Sequence, residues 1–259
     1  MNERLEELID LSTRLGDPAH DYVILGEGNT SALNPDGTFW VKASGYQLPT
    51  IGSTGFVRVS LERALAILKD EELSDSEIKA RLLDVRVDPD TGRWPAPNSE
   101  TRPSTETVFH ALCLSLDDVN FVGHTHPASV NALACSELFE EAFSGRLFPD
   151  EIVVCGPAPV LVPYIDPGIP LAREIRRRIN AYIETYAERP RVILMQNHGL
   201  VALGRTFEQV ENITAMMVKT SRVLLGAYAA GGPRFLSSTN VDRIHTRPDE
   251  AYRRNLLGE

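Results

Sequence analysis

The sequence has few cysteines, no long apolar run and no excess of positive charge. Its three cysteines, Cys113, Cys135 and Cys155, are widely spaced without a CxxC pair, which predicts reduced, mostly packed thiols rather than disulfides. No apolar run approaches the ~20 residues that a transmembrane helix needs. The first residues form neither the basic nor the apolar region of a secretory signal. We therefore expect a cytoplasmic protein that does not enter a membrane.

The charge balance excludes a further class of function. Lys and Arg number 26 against 36 Asp and Glu, which gives a formal net charge of −10. Because phosphate backbones are bound by Lys and Arg, this balance argues against a general nucleic-acid binder. A small anionic substrate is not excluded, since it responds to a local site rather than to net charge. The length of 259 residues favours one domain, 1–259, with 232–259 as a C-terminal tail.

Apolar periodicity and turn residues predict a chain in which helices and strands are mixed. Helices are expected at 2–15, 60–70, 75–83, 105–116, 169–187 and 206–229, and after Pro127. Strands are expected at 30–33, 38–42, 119–125, 152–155 and 158–163, and as a pair within 191–204. Residues 84–104, rich in Pro, Asp and Ser, are expected to form an extended loop. Since strands occur in hairpins and also alternate with helices, we predict an α/β sandwich.

Two of the six histidines lie one residue apart, in the segment NFVGHTHPAS. In a strand, side chains at i and i+2 share a face, roughly 7 Å apart along the backbone, so His124 and His126 could reach one ion. They could also be two polar rings that meet water at a strand end. His198 lies in a tight turn between two apolar strands, where it could be a turn residue without further consequence. Together with Glu106, the three imidazoles would suit a catalytic divalent ion, in particular Zn²⁺.

The segment GEGNTS at residues 26–31 resembles the start of a dinucleotide fingerprint. That motif requires a following helix, whereas a hairpin is predicted here and Ser31 occupies the third glycine position, so we reject a Rossmann fold. The turn offers backbone N–H groups and the side chains of Asn29, Thr30 and Ser31. It could therefore bind an anion, or it could simply be a turn.

The segment RPSTETVFHAL at 102–112 precedes the paired histidines. Ser104 and Thr105 open a predicted helix, and Glu106 lies in its first turn. Hydroxyl groups cap helix N-termini, and a carboxylate in the first turn interacts favourably with the helix dipole. These residues could therefore have no role beyond stabilising the helix. His110 lies one turn later and is interpreted as a packed or supporting histidine rather than a fourth ligand. Lys42 could help to hold an anion or could be a solvated lysine on an exposed strand.

Five motifs in order resemble those of the class II, zinc-dependent aldolase/adducin family: GNTS, SG, PSTE, HTHP and NHG. The resemblance covers roughly residues 5–230. The family includes L-fuculose-1-phosphate and L-rhamnulose-1-phosphate aldolases, L-ribulose-5-phosphate 4-epimerase and methylthioribulose-1-phosphate dehydratase. The resemblance implies an α/β fold with a central, mainly antiparallel β-sheet flanked by helices, and homotetramers with active sites at subunit boundaries.

The resemblance also implies a role for each motif residue. His124, His126 and His198 would bind Zn²⁺, or another divalent metal such as Mn²⁺ or Co²⁺, and Glu106 would be the catalytic acid/base. The substrate phosphate would bind the remaining motif residues, which are Asn29, Ser44, Gly45, Ser104 and Thr105.

The implied reaction is a retro-aldol cleavage of a ketose 1-phosphate, such as rhamnulose or fuculose 1-phosphate. It would give dihydroxyacetone phosphate and an aldehyde through an enediolate. Glu rather than Asp at position 106 favours this aldolase branch over the epimerase branch. The alternatives are an epimerase, dehydratase or decarboxylase acting on a sugar phosphate or sugar acid, and an adducin-like interaction module without catalysis.

One departure from the family pattern concerns a proton donor. In the fucose enzyme, a tyrosine of the neighbouring subunit, from a segment shortly after the HxH motif, protonates the leaving group. Residues 127–163 contain no tyrosine, and the later candidates are Tyr164 and Tyr252. The sequence assigns this role to neither of them.

Overall fold

A computed structural model describes residues 3–70, 73, 75–93 and 101–249. In these residues the α-helices are α1 Glu3–Leu15, α2 Leu61–Lys69, α3 Asp75–Asp84, α4 Thr107–Leu114, α5 Ala128–Ala134, α6 Phe139–Ala142, α7 Pro149–Cys155, α8 Ile169–Tyr186, α9 Phe207–Ala229 and α10 Ser238–Thr246. The strands are β1 Asn29–Leu33, β2 Thr38–Lys42, β3 Phe56–Ser60, β4 Phe121–Thr125, β5 Val160–Val162, β6 Val192–Met195 and β7 Gly199–Gly204. Short 3₁₀ turns lie at Pro18–His20, Leu48–Thr50 and Ser53–Gly55.

The strands form one sheet in the order β3-β2-β1-β4-β7-β6-β5. Each neighbouring pair is antiparallel except β5 and β6, which are parallel. The predicted fold, a mainly antiparallel sheet flanked by helices, is thus confirmed. None of the helices in the described residues is long and apolar enough to cross a bilayer.

Alternation along each strand sends side chains into two separate cores. In β4, Val122 packs with the core that includes residues of α2, α4 and α8, whereas Phe121 packs with the core of α1, α5 and α9. Because the period of a strand is two, His124 projects toward the same layer as Val122. Its ring contacts Phe109 of α4 edge to face, with the ring centroids 5.7 Å apart. The sheet therefore presents the predicted metal ligand to the helix that begins beside Glu106.

The predicted strand at 152–155 is wrong, because these residues form the end of helix α7. Pro149 opens that helix with its φ already fixed near the helical value. Glu151 is buried and pairs with Arg146 at 2.9 Å, and Gly156 ends the helix with a φ of +80°. An apolar run buried on all sides has the same sequence signature in a helix and in a strand, which explains the error.

The region predicted as a C-terminal tail contains helix α10. Val241 and Ile244 of this helix pack against Ile152 and Val153 of α7. Residues 250–259, including Tyr252, lie outside the described residues, as does part of the predicted loop, 94–100. The single-domain organisation of 1–259 stays a prediction.

Candidate metal and anion site

Strand β4 and the turn between β6 and β7 bring three histidines together. The candidate ligand atoms of His124, His126 and His198 all lie within 4.8 Å of one another. The Nε2 atoms of His124 and His126 are 2.9 Å apart. Gly199 permits the turn that carries His198 to lie close to the end of β4. A Cβ at this position would lie 2.5 Å from the carbonyl oxygen of Thr125 and 2.7 Å from the ring of His126. His124 in β4, His126 directly after it and His198 in the turn thus converge on one point.

The orientation and charge of these rings suit metal binding. Nδ1 of His124 donates to the carbonyl of Leu200 at 3.0 Å, which leaves Nε2 as the nitrogen available to a ligand. Burial lowers the pKa of His124 to about 4, and burial together with the neighbouring imidazoles lowers the pKa of His126 to about 3. Both imidazoles are therefore neutral near pH 7, which is the form that ligates metals.

Glu106 lies against this cluster. Its Oε1 is 3.2 Å from Nε2 of His198, and its Oε2 is 3.5 Å from Nε2 of His124. Burial opposes ionisation of this carboxyl group, but His124, His198 and a hydrogen bond from Asn29 outweigh burial and hold its pKa below the ordinary value. The residue occupies the N-cap of α4 rather than the predicted first turn, and its side chain makes no capping hydrogen bond. Helix capping therefore does not account for the carboxylate.

A buried chain of hydrogen bonds leads to Glu106 from the opposite side. Nδ2 of Asn29 donates to Oε2 of Glu106 at 2.6 Å, and Oδ1 of Asn29 is hydrogen-bonded to Nε2 of His110. An amide oxygen can only accept, so Nε2 of His110 carries the proton and Nδ1 accepts from the hydroxyl of Ser31 at 2.7 Å. Burial lowers the pKa of His110 to about 4, which keeps the ring neutral. His110 thus orients Asn29, in agreement with its interpretation as a supporting histidine.

The predicted anion-binding residues lie next to this chain. Nδ2 of Asn29 is 3.5 Å from Oγ of Ser104, which accepts from the backbone N–H of Glu106 at 3.2 Å. The backbone N–H of Ser44 donates to the carbonyl of Arg102 at 2.8 Å, and Gly45 follows with a φ of +90°. The segment after β2 and the start of α4 therefore lie side by side.

Two basic residues lie in this region, of which Lys42 was a sequence candidate and Arg102 was not. Lys42 is buried, which corrects the alternative of a solvated lysine on an exposed strand; its Nζ donates to the carbonyl of Gly26 at 3.3 Å. Burial lowers its pKa, although Glu106 attracts the charged form. Arg102, which sequence reasoning missed, lines a cavity of about 250 Å³ with Ser44 and Thr105. Its position directly before the PSTE motif was the available signal.

Of the two tyrosines that the sequence offered as a proton donor, only Tyr164 lies in the described residues, and its geometry does not give it that role. Tyr164 is 55% exposed, and its hydroxyl donates to Asp166 at 3.0 Å. Its backbone N–H donates to the side chain of Gln196, two residues before His198. Tyr164 thus lies at the edge of the turn that carries a candidate ligand, facing solvent.

Comparison with known proteins gives one family and several similar structures. Residues 6–225 match the model of the Class II Aldolase and Adducin N-terminal domain. The uncharacterized oxidoreductase YuxG of Bacillus subtilis is 28% identical over 227 residues, which are 83% of this chain and only 28% of the length of YuxG. The N-terminal class II aldolase domain of a conserved Thermoplasma acidophilum protein is 25% identical with a TM-score of 0.66, covering 87% of this chain and 95% of that one. An L-fuculose 1-phosphate aldolase has a TM-score of 0.67 at 18% identity, covering 95% of each chain.

Proposed function

Because the chain belongs to the class II aldolase and adducin family, we propose that it is a metal-dependent aldolase. Its substrate would be a ketose 1-phosphate, such as rhamnulose or fuculose 1-phosphate, cleaved to dihydroxyacetone phosphate and an aldehyde. The observation that carries this proposal is the buried carboxylate of Glu106, which lies 3.2 and 3.5 Å from two imidazoles of the three-histidine cluster.

The residues present fit a divalent metal ion. Three imidazoles, of which at least His124 and His126 are neutral near pH 7, form the three-nitrogen donor set found in catalytic zinc sites. We assign His124, His126 and His198 as the ligands, with Zn²⁺ as the first candidate and Mn²⁺ or Co²⁺ as alternatives. A metal held there would supply Lewis-acid stabilisation of the negative charge that develops on the ketose oxygens.

Glu106 is the acid/base of the proposed reaction. Asn29 donates to Oε2, and we assign Oε1, which lies 3.2 Å from Nε2 of His198, as the oxygen that takes up and returns the substrate proton. The lowered pKa keeps the carboxylate ionised and able to accept this proton. Asn29, held by His110, fixes the direction in which the carboxylate faces.

We expect His110→Leu to lower turnover more than His110→Gln. Gln can donate to Oδ1 of Asn29 and accept from Ser31, whereas Leu can do neither and leaves Asn29 free to turn. Since hydrogen bonds to charged groups contribute about 1.5–3 kcal/mol, the Leu variant should lose roughly tenfold or more in kcat. Steady-state kinetics of both variants, alone and combined with Glu106→Gln, separate orientation from packing. Equal losses in both variants that persist alongside Glu106→Gln would assign His110 to packing.

The substrate phosphate is proposed to bind at Asn29, Ser44, Gly45, Ser104 and Thr105, the last two lying just before α4, with Lys42 adding positive charge. Backbone N–H groups at the start of α4 favour a negative group. Dihydroxyacetone phosphate keeps this phosphate after cleavage, so the same residues would hold substrate and product.

We expect Ser104→Ala to raise the Michaelis constant for phosphorylated substrates with little change in kcat. One lost hydrogen bond to a charged phosphate corresponds to roughly a tenfold increase or more. Ser115→Ala, which removes a hydroxyl at the other end of α4, is the matched control and should leave the constant unchanged. An unaltered Michaelis constant in Ser104→Ala, for every phosphorylated substrate that is turned over, would contradict this assignment.

A substrate screen tests the reaction itself. The metal-loaded protein is incubated with ketose 1-phosphates, pentulose phosphates and sugar acids, and dihydroxyacetone phosphate is measured by its reduction with a coupling enzyme. Aldol cleavage of a ketose 1-phosphate is the expected result. An epimerised, dehydrated or decarboxylated product would replace the aldolase by that reaction, and a folded, metal-loaded protein inactive on the whole panel would contradict the proposal.

The proposal includes a homotetramer in the cytoplasm, as the family resemblance implies. Such an assembly would bring a neighbouring chain to the site, and light scattering of the purified protein measures its size.

A further inference from the structure

The loop that precedes β1 contacts His126 at two places. The backbone N–H of His126 donates to the carbonyl of Tyr22 at 2.8 Å. The side chain of Glu27 lies on the same side, with Oε1 3.7 Å from Nδ1 of His126. Gly28 packs directly on β4, because a Cβ there would lie 2.7 Å from the carbonyl oxygen of His124. The loop before β1 is therefore packed against His124 and His126 and hydrogen-bonded to the backbone of His126.

The carboxylate of Glu27 is held in place by its own loop. Oε2 accepts from the backbone N–H of Ile24 at 3.0 Å, and the backbone N–H of Glu27 donates to the carbonyl of Ile24 at 3.0 Å. The first bond occupies Oε2 and leaves Oε1 directed at the imidazole of His126, and the second holds the backbone of the loop. The side chain is 38% exposed.

A metal-binding imidazole ligates through one nitrogen and donates the other N–H to a fixed acceptor. For His124 that acceptor is the carbonyl of Leu200, at 3.0 Å from Nδ1. For His126, Nε2 faces the cluster, 2.9 Å from Nε2 of His124, so Nδ1 is the nitrogen that needs a partner. Glu27 faces that atom.

We propose that Glu27 is a positioning residue for the metal site, which accepts the Nδ1–H of His126 when Nε2 ligates a metal. This inference rests on the proposed function in that His126 must be a ligand. The carboxylate fixes the tautomer and the orientation of the His126 ring. Its negative charge also makes the imidazole a stronger electron-pair donor to the metal. Partners of this kind typically contribute 10–100-fold in metal affinity.

Glu27→Gln separates this role from a role in the turn alone. The Gln carbonyl can still accept from the N–H of Ile24, which preserves the loop. Its NH₂ group then faces Nδ1–H of His126, so two donors oppose each other. Glu27→Ala removes both interactions and serves as the second variant.

Glu188→Gln is the matched control. Glu188 also pairs with a histidine, since its Oε1 lies 3.1 Å from Nε2 of His245, and the exposures of the two pairs are similar, 34% and 19% against 38% and 19%. This variant removes the same single charge from a histidine–carboxylate pair that includes no candidate ligand.

The experiment is a competition for Zn²⁺ between metal-free protein and a chromophoric chelator, at one pH and one ionic strength. Glu27→Gln and Glu27→Ala should each bind Zn²⁺ about 10–100-fold more weakly, whereas Glu188→Gln should match the unaltered protein. The metal-free melting temperature of Glu27→Gln should be unchanged.

Each other result overturns the inference in a distinct way. Affinity equal to that of the unaltered protein would reduce Glu27 to a turn residue, and equal losses in Glu27→Gln and Glu188→Gln would show an effect of net charge. If the unaltered protein does not bind Zn²⁺, both the proposed zinc site and the role of Glu27 in it are contradicted.

Discussion

Glu106→Gln is expected to bind metal as the unaltered protein does and to lose at least about a hundredfold in turnover. The amide is nearly isosteric with the carboxylate and can still accept from Asn29, which donates to Oε2 at 2.6 Å. It cannot accept a substrate proton near pH 7. General acid–base catalysis is typically worth 10²–10⁴-fold in rate, and this variant should lose that contribution alone.

A purely structural role of Glu106, at the start of a helix, predicts a different outcome for the same variant. A carboxylate that only favours a helix dipole contributes about 0.3–1 kcal/mol of stability and nothing to the chemistry. The measurement is therefore kcat together with metal stoichiometry and melting temperature. Glu62→Gln is the matched control, because Glu62 lies in the first turn of α2, and it should leave kcat unchanged. A Glu106→Gln enzyme that is fully active and slightly less stable would show that the carboxylate serves the helix only.

The sequence was sufficient to predict those elements whose structure depends on local geometry alone. A two-residue period places His124 and His126 on one face of a regular strand; β4 contains His124 and ends at Thr125, and His126 follows it directly. The turn before Gly199 and the long helix after Thr206 follow from equally local signals, and Thr206 does cap α9 by accepting from the N–H of Gln209. These elements were predicted with nearly correct bounds.

The rest of the site depends on contacts between distant segments. Asn29 lies opposite His124 because β1 and β4 pair in one antiparallel register, although the two residues are 95 positions apart in the sequence. That register brings Asn29 within reach of Glu106, and the pairing of β2 with β1 and β3 places Lys42 where it is buried. The direction of Glu27 likewise depends on how its loop packs on β4. The pattern of a single sequence indicates which side chains of a strand share a face, but it does not indicate which other strand pairs with it. These contacts were therefore not predicted.

His198→Ala is expected to lose stoichiometric metal binding and, with it, activity. The site would keep His124 and His126, which are two ligands where a stable catalytic zinc site needs three. His198 is the ligand to remove, because its side chain lies in a turn and is 15% exposed, whereas His124 is buried against Phe109. Truncation of His198 should therefore spare the fold.

The same variant shows whether activity depends on the metal. Lewis-acid stabilisation is worth several kcal/mol, so chelated protein should lose about a thousandfold or more in rate and recover when the metal is restored. His198→Ala should not recover, and added metal should no longer raise its melting temperature as it does for a protein that binds metal only when folded. His245→Ala is the matched control, since His245 pairs with Glu188 through Nε2 at 3.1 Å much as His198 pairs with Glu106 at 3.2 Å. Full activity of the unaltered protein after complete chelation would exclude the metal from the reaction, and a metal-replete, active His198→Ala would exclude His198 from its ligands.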